Sequence, residues 1–278
     1  MTMAVHRHGA SHDIPGASPF SHHIVPNGEA RIRVTACGQG MPIVLLPSLG
    51  RDVEDFFPIA RDLAAAGWRV LMPSPRGMGG SVGPLAGIRL HDLASDIAAV
   101  IEHERAGPAL VAGHAFGNWV ARTTAADHPS LVAGVAILAA AHKHFPASLR
   151  ASIDAAMDAS LPTETRLTHL RTAFFASGSD PSVWLDGWHP AIARAQRAAS
   201  AATVQSAWWA AGAAPLLDVQ ASEDAFAPRA GAHLLRQELG PRVRIATIEN
   251  AGHALLPEQP RDVAAALVAF AQTLERRN

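Results

Sequence analysis

The stretch Val111-Ala112-Gly113-His114-Ala115-Phe116-Gly117-Asn118-Trp119 decides the fold. Ahead of its turn, Ala109 to Ala112 is a short apolar run of buried-strand character, and behind it Phe116 to Ala126 reads as a helix. Two glycines, Gly113 and Gly117, flank the centre of this strand-to-helix junction. That spacing suits a strained turn that lifts the central side chain above the sheet edge, because small flanking residues prevent clashes. The central residue here is Ala115, which has no nucleophilic atom.

On either side of this junction, short apolar runs alternate with longer helical segments, the signature of a mostly parallel sheet covered on both faces. Pro42 to Leu46 and Trp68 to Met72 read as strands. Between them Phe57, Ile59, Ala60, Leu63 and Ala64 fall at helical spacing, with Gly67 as the stop. Leu90 to Glu104 is a second helix, ended by Gly107 and Pro108, and Leu131 to Ala140 has the continuous apolar character of a sheet centre. Residues 142 to about 210 change character: helical stretches are broken by prolines and glycines, and aromatic residues concentrate there without a clear strand. Alternation resumes with strands at Leu216 to Val219 and Val243 to Ile248, a helix around Ala230 to Glu238 between them, and a last helix from Asp262 to Leu274. The expected division is a core of residues 29–141 and 211–278, a helical cap inserted at 142–210, and a flexible N-terminal arm at 1–28, where no periodicity is visible.

The chain has 278 residues, 49% hydrophobic and 17% charged, enough for a large core. Its formal charge of -1 argues against a nucleic-acid partner and against a polybasic membrane tether. The longest apolar run, Leu131 to Ala141, falls short of the roughly 18 residues of a membrane span, and the histidine-bearing N-terminus has no apolar signal-like core. Cys37, the single cysteine, excludes an intrachain disulfide and a cysteine-based zinc site and fits a reducing, cytoplasmic setting. The expectation is a monomer or homodimer with a small-molecule substrate, no metal and no cofactor.

The glycine pair of the junction resembles the nucleophile elbow G-x-S-x-G of the α/β-hydrolase superfamily, and the likeness runs from about Ile32 to Leu274. Four further segments carry it. Ile43 to Gly50 resembles the loop after the family's third strand, with Pro47-Ser48 where His-Gly often stands. Val70 to Ser81 looks like the loop after the fourth strand. Ser222 to Pro228 and Asn250 to Pro257 place Asp224 and His253 at the family's acid and base positions, in the chain order this fold uses. Glu223 is the near miss for the acid. By resemblance, the backbone N–H groups of Leu49 and Phe116 would form an oxyanion hole, with Asp224 fixing the His253 tautomer so that the free nitrogen accepts a proton.

Other residues are weaker candidates. His114, beside the turn centre, should point into the sheet as a packed, hydrogen-bonded histidine. Ser48, His142, Trp184 and Trp188 are candidates for substrate contact: Ser48 lies in the oxyanion loop, His142 follows the central strand at its carboxyl end, and a cap covers a pocket. His144 shares the setting of His142. Asp52, Glu54 and Asp55 read as capping charges before a helix. Cys37 reads as buried and inert.

Ala115 leaves two accounts open: a substituted serine, or a native alanine. With serine the expected chemistry is covalent acyl transfer. With alanine, a base and an oxyanion hole survive, suited to activating water or abstracting a substrate proton, as in a slow hydrolase or a lyase. A pocket that binds a small ligand without turnover is the contrasting class. Covalent epoxide or haloalkane opening is disfavoured, since that branch carries Asp at the elbow.

Overall fold

The computed structural model describes residues 18–140, 143 and 148–276. His142 and His144, and the histidines at 6, 8 and 12, lie outside the described residues. Ten α-helices and eight strands are described. The strands are β1 (Ser21–Asn27), β2 (Ala30–Cys37), β3 (Pro42–Leu46), β4 (Arg69–Pro73), β5 (Ala109–His114), β6 (Val132–Leu138), β7 (Leu216–Ala221) and β8 (Val243–Ile248). They form one sheet in the order β1-β2-β4-β3-β5-β6-β7-β8, parallel from β4 to β8 and antiparallel at the β1-β2-β4 edge.

Strand alternation divides the core. Ile43 and Leu45 point to one face with α1 (Phe57–Ala65) and α10 (Pro260–Glu275), while Val44 and Leu46 point to the other with α2 (Leu90–Glu104) and α3 (Phe116–Asp127). Because both faces are covered, the central strands are apolar at every position, which is why they read as continuous runs. The final helix buries Val263, Leu267, Phe270 and Leu274, the stripe that the heptad-like spacing predicts.

Part of the stretch expected to be a flexible arm is a strand. Ser21–Asn27 pairs residue for residue with β2 as an edge strand. Its polar side chains face water on an open edge, so only Val25 is buried and no apolar periodicity appears in the sequence.

Between β6 and β7 the described chain is helical: α4 (Leu149–Met157), α5 (Thr163–Ala173), α6 (Pro190–Ala201) and the short α7 (Gln205–Trp208). It crosses above the carboxyl ends of the strands, where the loops after β3, β5, β7 and β8 converge, the edge at which open α/β sheets place ligands. Two short helices complete the chain, α8 (Leu234–Leu239) and α9 (Leu255–Glu258). Among the described residues no helix is long and apolar enough to cross a membrane.

Candidate active site

Ala115 sits at the turn between β5 and α3 with φ 46° and ψ -111°. A non-glycine residue in that region carries strain of about 1–3 kcal/mol, held here by the surrounding hydrogen bonds. The Ala115 N–H donates to Leu138 C=O at 3.0 Å, and the Asn118 N–H donates to Ala115 C=O at 3.1 Å. The flanking glycines are a packing requirement: a Cβ at Gly113 would lie 2.2 Å from the Gly117 carbonyl carbon, and one at Gly117 would lie 2.3 Å from Leu46 O. The turn is thus pressed against itself and against the end of β3. Phe116, first residue of α3, has no intrahelical acceptor for its N–H.

Asp224 lies in the loop after β7, and His253 in the loop after β8. His253 Nδ1 is 3.1 Å from both Asp224 carboxylate oxygens, and the Phe226 N–H donates to Asp224 Oδ1 at 2.8 Å. Both side chains are almost fully buried, at 8% and 1% exposure. A carboxylate can only accept, so Nδ1 carries the proton and Nε2 is the basic atom. Nε2 has no protein partner among the described residues. Phe226 packs 4.3 Å from the imidazole, centroid to centroid, and Phe174 at 5.8 Å. Together with Asp224 they fix the ring plane.

A chamber of about 510 Å³ joins these pieces. Ala115, His253, Ser48, Leu49 and Phe116 line one side, and Trp188, Phe174, Phe226 and Trp119 give much of the rest an aromatic character. Of the residues expected to touch substrate, Ser48 and Trp188 line this chamber and Trp184 does not. Trp184 is 1% exposed beneath it, packed edge-on against Phe175 and Trp188 and 6.0 Å from the His114 ring. Core and pocket tryptophans share one local pattern; Trp184, itself within the helical insertion between β6 and β7, is packed among Leu170, Phe174 and Phe175.

His114 is fully buried and lies behind the site. Its Nε2–H donates to His253 C=O at 2.8 Å, with the two rings 5.3 Å apart. Burial, and secondarily the neighbouring His253, push its pKa down to about 3, so the ring stays neutral.

Several structural residues carried no motif. Glu258 accepts from Gly252 N–H and Ala176 N–H, both at 2.7 Å, and so clasps the His253 loop to the segment after α5. Glu223 accepts from Ser177 N–H at 3.0 Å and ties the acid loop to the same segment. Arg51 is 4% exposed, its guanidinium 4.7 Å from the Trp184 ring centre and 4.8 Å from that of Trp188. Asp55 takes Arg51 in a bidentate pair at 2.6 and 2.7 Å, so it serves this clamp, while Asp52 does cap Val53 N–H as expected. Gln196 of α6 accepts from Gly50 N–H at 2.8 Å, seating α6 on the loop that carries Ser48 and Leu49. Cys37 is buried with its thiol pKa raised, first by burial.

Residues 43–266 match the alpha/beta hydrolase family. Over 122 residues the chain is 34% identical to epoxide hydrolase A of Mycobacterium tuberculosis, covering 41% of this chain and 37% of that protein. Over 136 residues it is 29% identical to an sn-1-specific diacylglycerol lipase of Danio rerio, covering 46% and 42%. The matched stretches thus span about two fifths of the length of these curated relatives. In fold it is similar to a thermophilic esterase from Thermogutta terrifontis, with a TM-score of 0.73 at 19% identity over 92% of this chain and 99% of the other.

Proposed function

We propose, on the premise that this chain belongs to the alpha/beta hydrolase family, that it hydrolyses a small, largely apolar substrate bearing a carbonyl, an ester or lactone. One observation carries the reading: His253, backed by Asp224, opens on the same chamber as Ala115, Leu49 and Phe116.

In this mechanism the substrate carbonyl lies over the Ala115 methyl, with its oxygen toward the N–H groups of Leu49 and Phe116. Each such donor is worth about 3 kcal/mol to a developing oxyanion. His253 Nε2 takes a proton from water as the water oxygen attacks the carbonyl carbon, and Asp224 stabilises the imidazolium that forms. The tetrahedral intermediate then collapses. Its C–O bond to the leaving group breaks, and His253 returns the proton to the departing oxygen, giving acid and alcohol. Ala115 stands at the nucleophile position and supplies no atom to acylate, so no covalent intermediate forms. In enzymes of this kind that lose a triad member, the oxyanion hole and substrate binding alone sustain about 10³ to 10⁴ over the uncatalysed rate. The relative that is an epoxide hydrolase does not alter this reading, because Ala115 offers no carboxylate for covalent ring opening.

The test is a panel of esters, lactones and epoxides with the parent protein, Ala115→Ser and His253→Gln. Slow ester turnover in the parent that His253→Gln abolishes, and burst acylation with fluorophosphonate labelling in Ala115→Ser, are expected. Saturable ligand binding with no turnover in either protein would instead identify a small-ligand-binding protein. Turnover that persists in His253→Gln would remove the base from the mechanism.

A further inference from the structure

The chamber has one charged edge. On the cap side it is lined by two guanidiniums, Arg150 of α4 and Arg197 of α6, against one carboxylate, Asp154 of α4. Arg197 Nη1 donates to Asp154 Oδ1 at 2.7 Å, and among the described residues this is the one hydrogen bond that the guanidinium makes to protein. Its Nε and Nη2 edge is uncommitted. Ser200 and Ala201, one helical turn on, line the same chamber, so the Arg197 stem runs along a wall that faces it.

The ion pair is a weak tie. Its side chains are 40% exposed at Arg197 and 60% at Asp154, and pairs so open to water contribute little. The carboxylate is the more exposed partner. Beyond the pair lies a second cavity of about 650 Å³, which shares Trp188, Asp154 and Arg197 as its wall and adds Asp158, Asp186 and Arg194. Arg197 therefore stands at the threshold between an apolar compartment that holds His253 and a charged one nearer the surface.

We propose that Arg197 is a specificity determinant that recognises an anionic group on the substrate, so that the preferred substrate is an apolar carbonyl compound ending in a carboxylate. A planar guanidinium offers a second N–H edge that matches a carboxylate, and Arg150 adds positive charge on the same side. A cationic tail would meet the Arg197 guanidinium and, in Asp154, a carboxylate that is already engaged. The inference rests on the reading that the carbonyl is held beside His253 in this chamber.

The test is calorimetric titration of the intact protein with monomethyl adipate and with dimethyl adipate, a pair that differs in the terminal charge. The half-ester should bind about tenfold more tightly at low salt, the advantage should shrink as salt rises, and Arg197→Met should bring the ratio to about twofold or less. Asp154→Asn should increase the ratio, since it removes the competing carboxylate. Equal binding of the two esters, no binding of either, or an advantage that survives Arg197→Met would each overturn the inference. Hydrolysis is read separately: binding with the charge preference but no turnover defeats the hydrolase reading alone, and turnover without the preference defeats this inference alone.

Discussion

Replacing His114 by Gln should flatten the acid side of the stability profile. In the native protein this ring is fully buried with a pKa of about 3, whereas in the unfolded chain it returns to 6.5. Below pH 6.5 the unfolded state binds a proton that the native state excludes, so native stability is complete above 6.5 and falls as pH drops toward 3. Between pH 7.5 and 5 the loss from this one group is about 2 kcal/mol, and it approaches about 5 kcal/mol once the pH is below 3. Urea denaturation followed by far-ultraviolet circular dichroism at both pH values supplies the measurement. The variant loses ring packing and should be less stable than the parent at pH 7.5. Its deficit should narrow by about 2 kcal/mol at pH 5, because Gln has no proton to exclude. Equal pH slopes in the two proteins would refute the reasoning and show that the ring accepts a proton in the folded state.

Three further outcomes are expected. Gly117→Ala should destabilise the protein by about 3 kcal/mol, read as a lowered thermal midpoint, because its Cβ would lie 2.3 Å from Leu46 O and 2.7 Å from Pro47 O, both backbone atoms. Burial raises the Asp218 pKa to about 6, so this group's contribution is present below pH 3.8 and lost as pH rises through 6; Asp218→Asn should abolish a decline of about 2–3 kcal/mol over that window. Glu258→Ala leaves the Gly252 and Ala176 amides without their acceptor and should cost about 2 kcal/mol, with faster amide hydrogen exchange at both sites than in the parent.

The alternation of strands and helices was readable in the sequence because two-sided burial forces apolar runs of strand length, and amphipathic helices repeat every third or fourth residue. Asp224 and His253 were expected from the resemblance to the family's acid and base positions; each lies just beyond a strand, β7 and β8, at the carboxyl edge of the sheet. The β1 strand was hidden because a solvated edge needs no apolar pattern. Arg51, Glu258 and Arg197 were hidden because a lone charged residue in a chain says nothing about its partner.

By itself the sequence determined the parallel strands of the sheet, their helical cover and the tight Gly113 to Gly117 turn, all set by forces between neighbours in the chain: hydrophobic periodicity and backbone sterics. Only the tertiary structure decided which tryptophan is buried in the packing and which lines the chamber, since Trp184 and Trp188 lie four residues apart on similar local patterns. Their difference comes from contacts across the fold, where the Arg51 guanidinium, the His114 ring and the cap meet, and burial of this kind is a property of the assembled molecule.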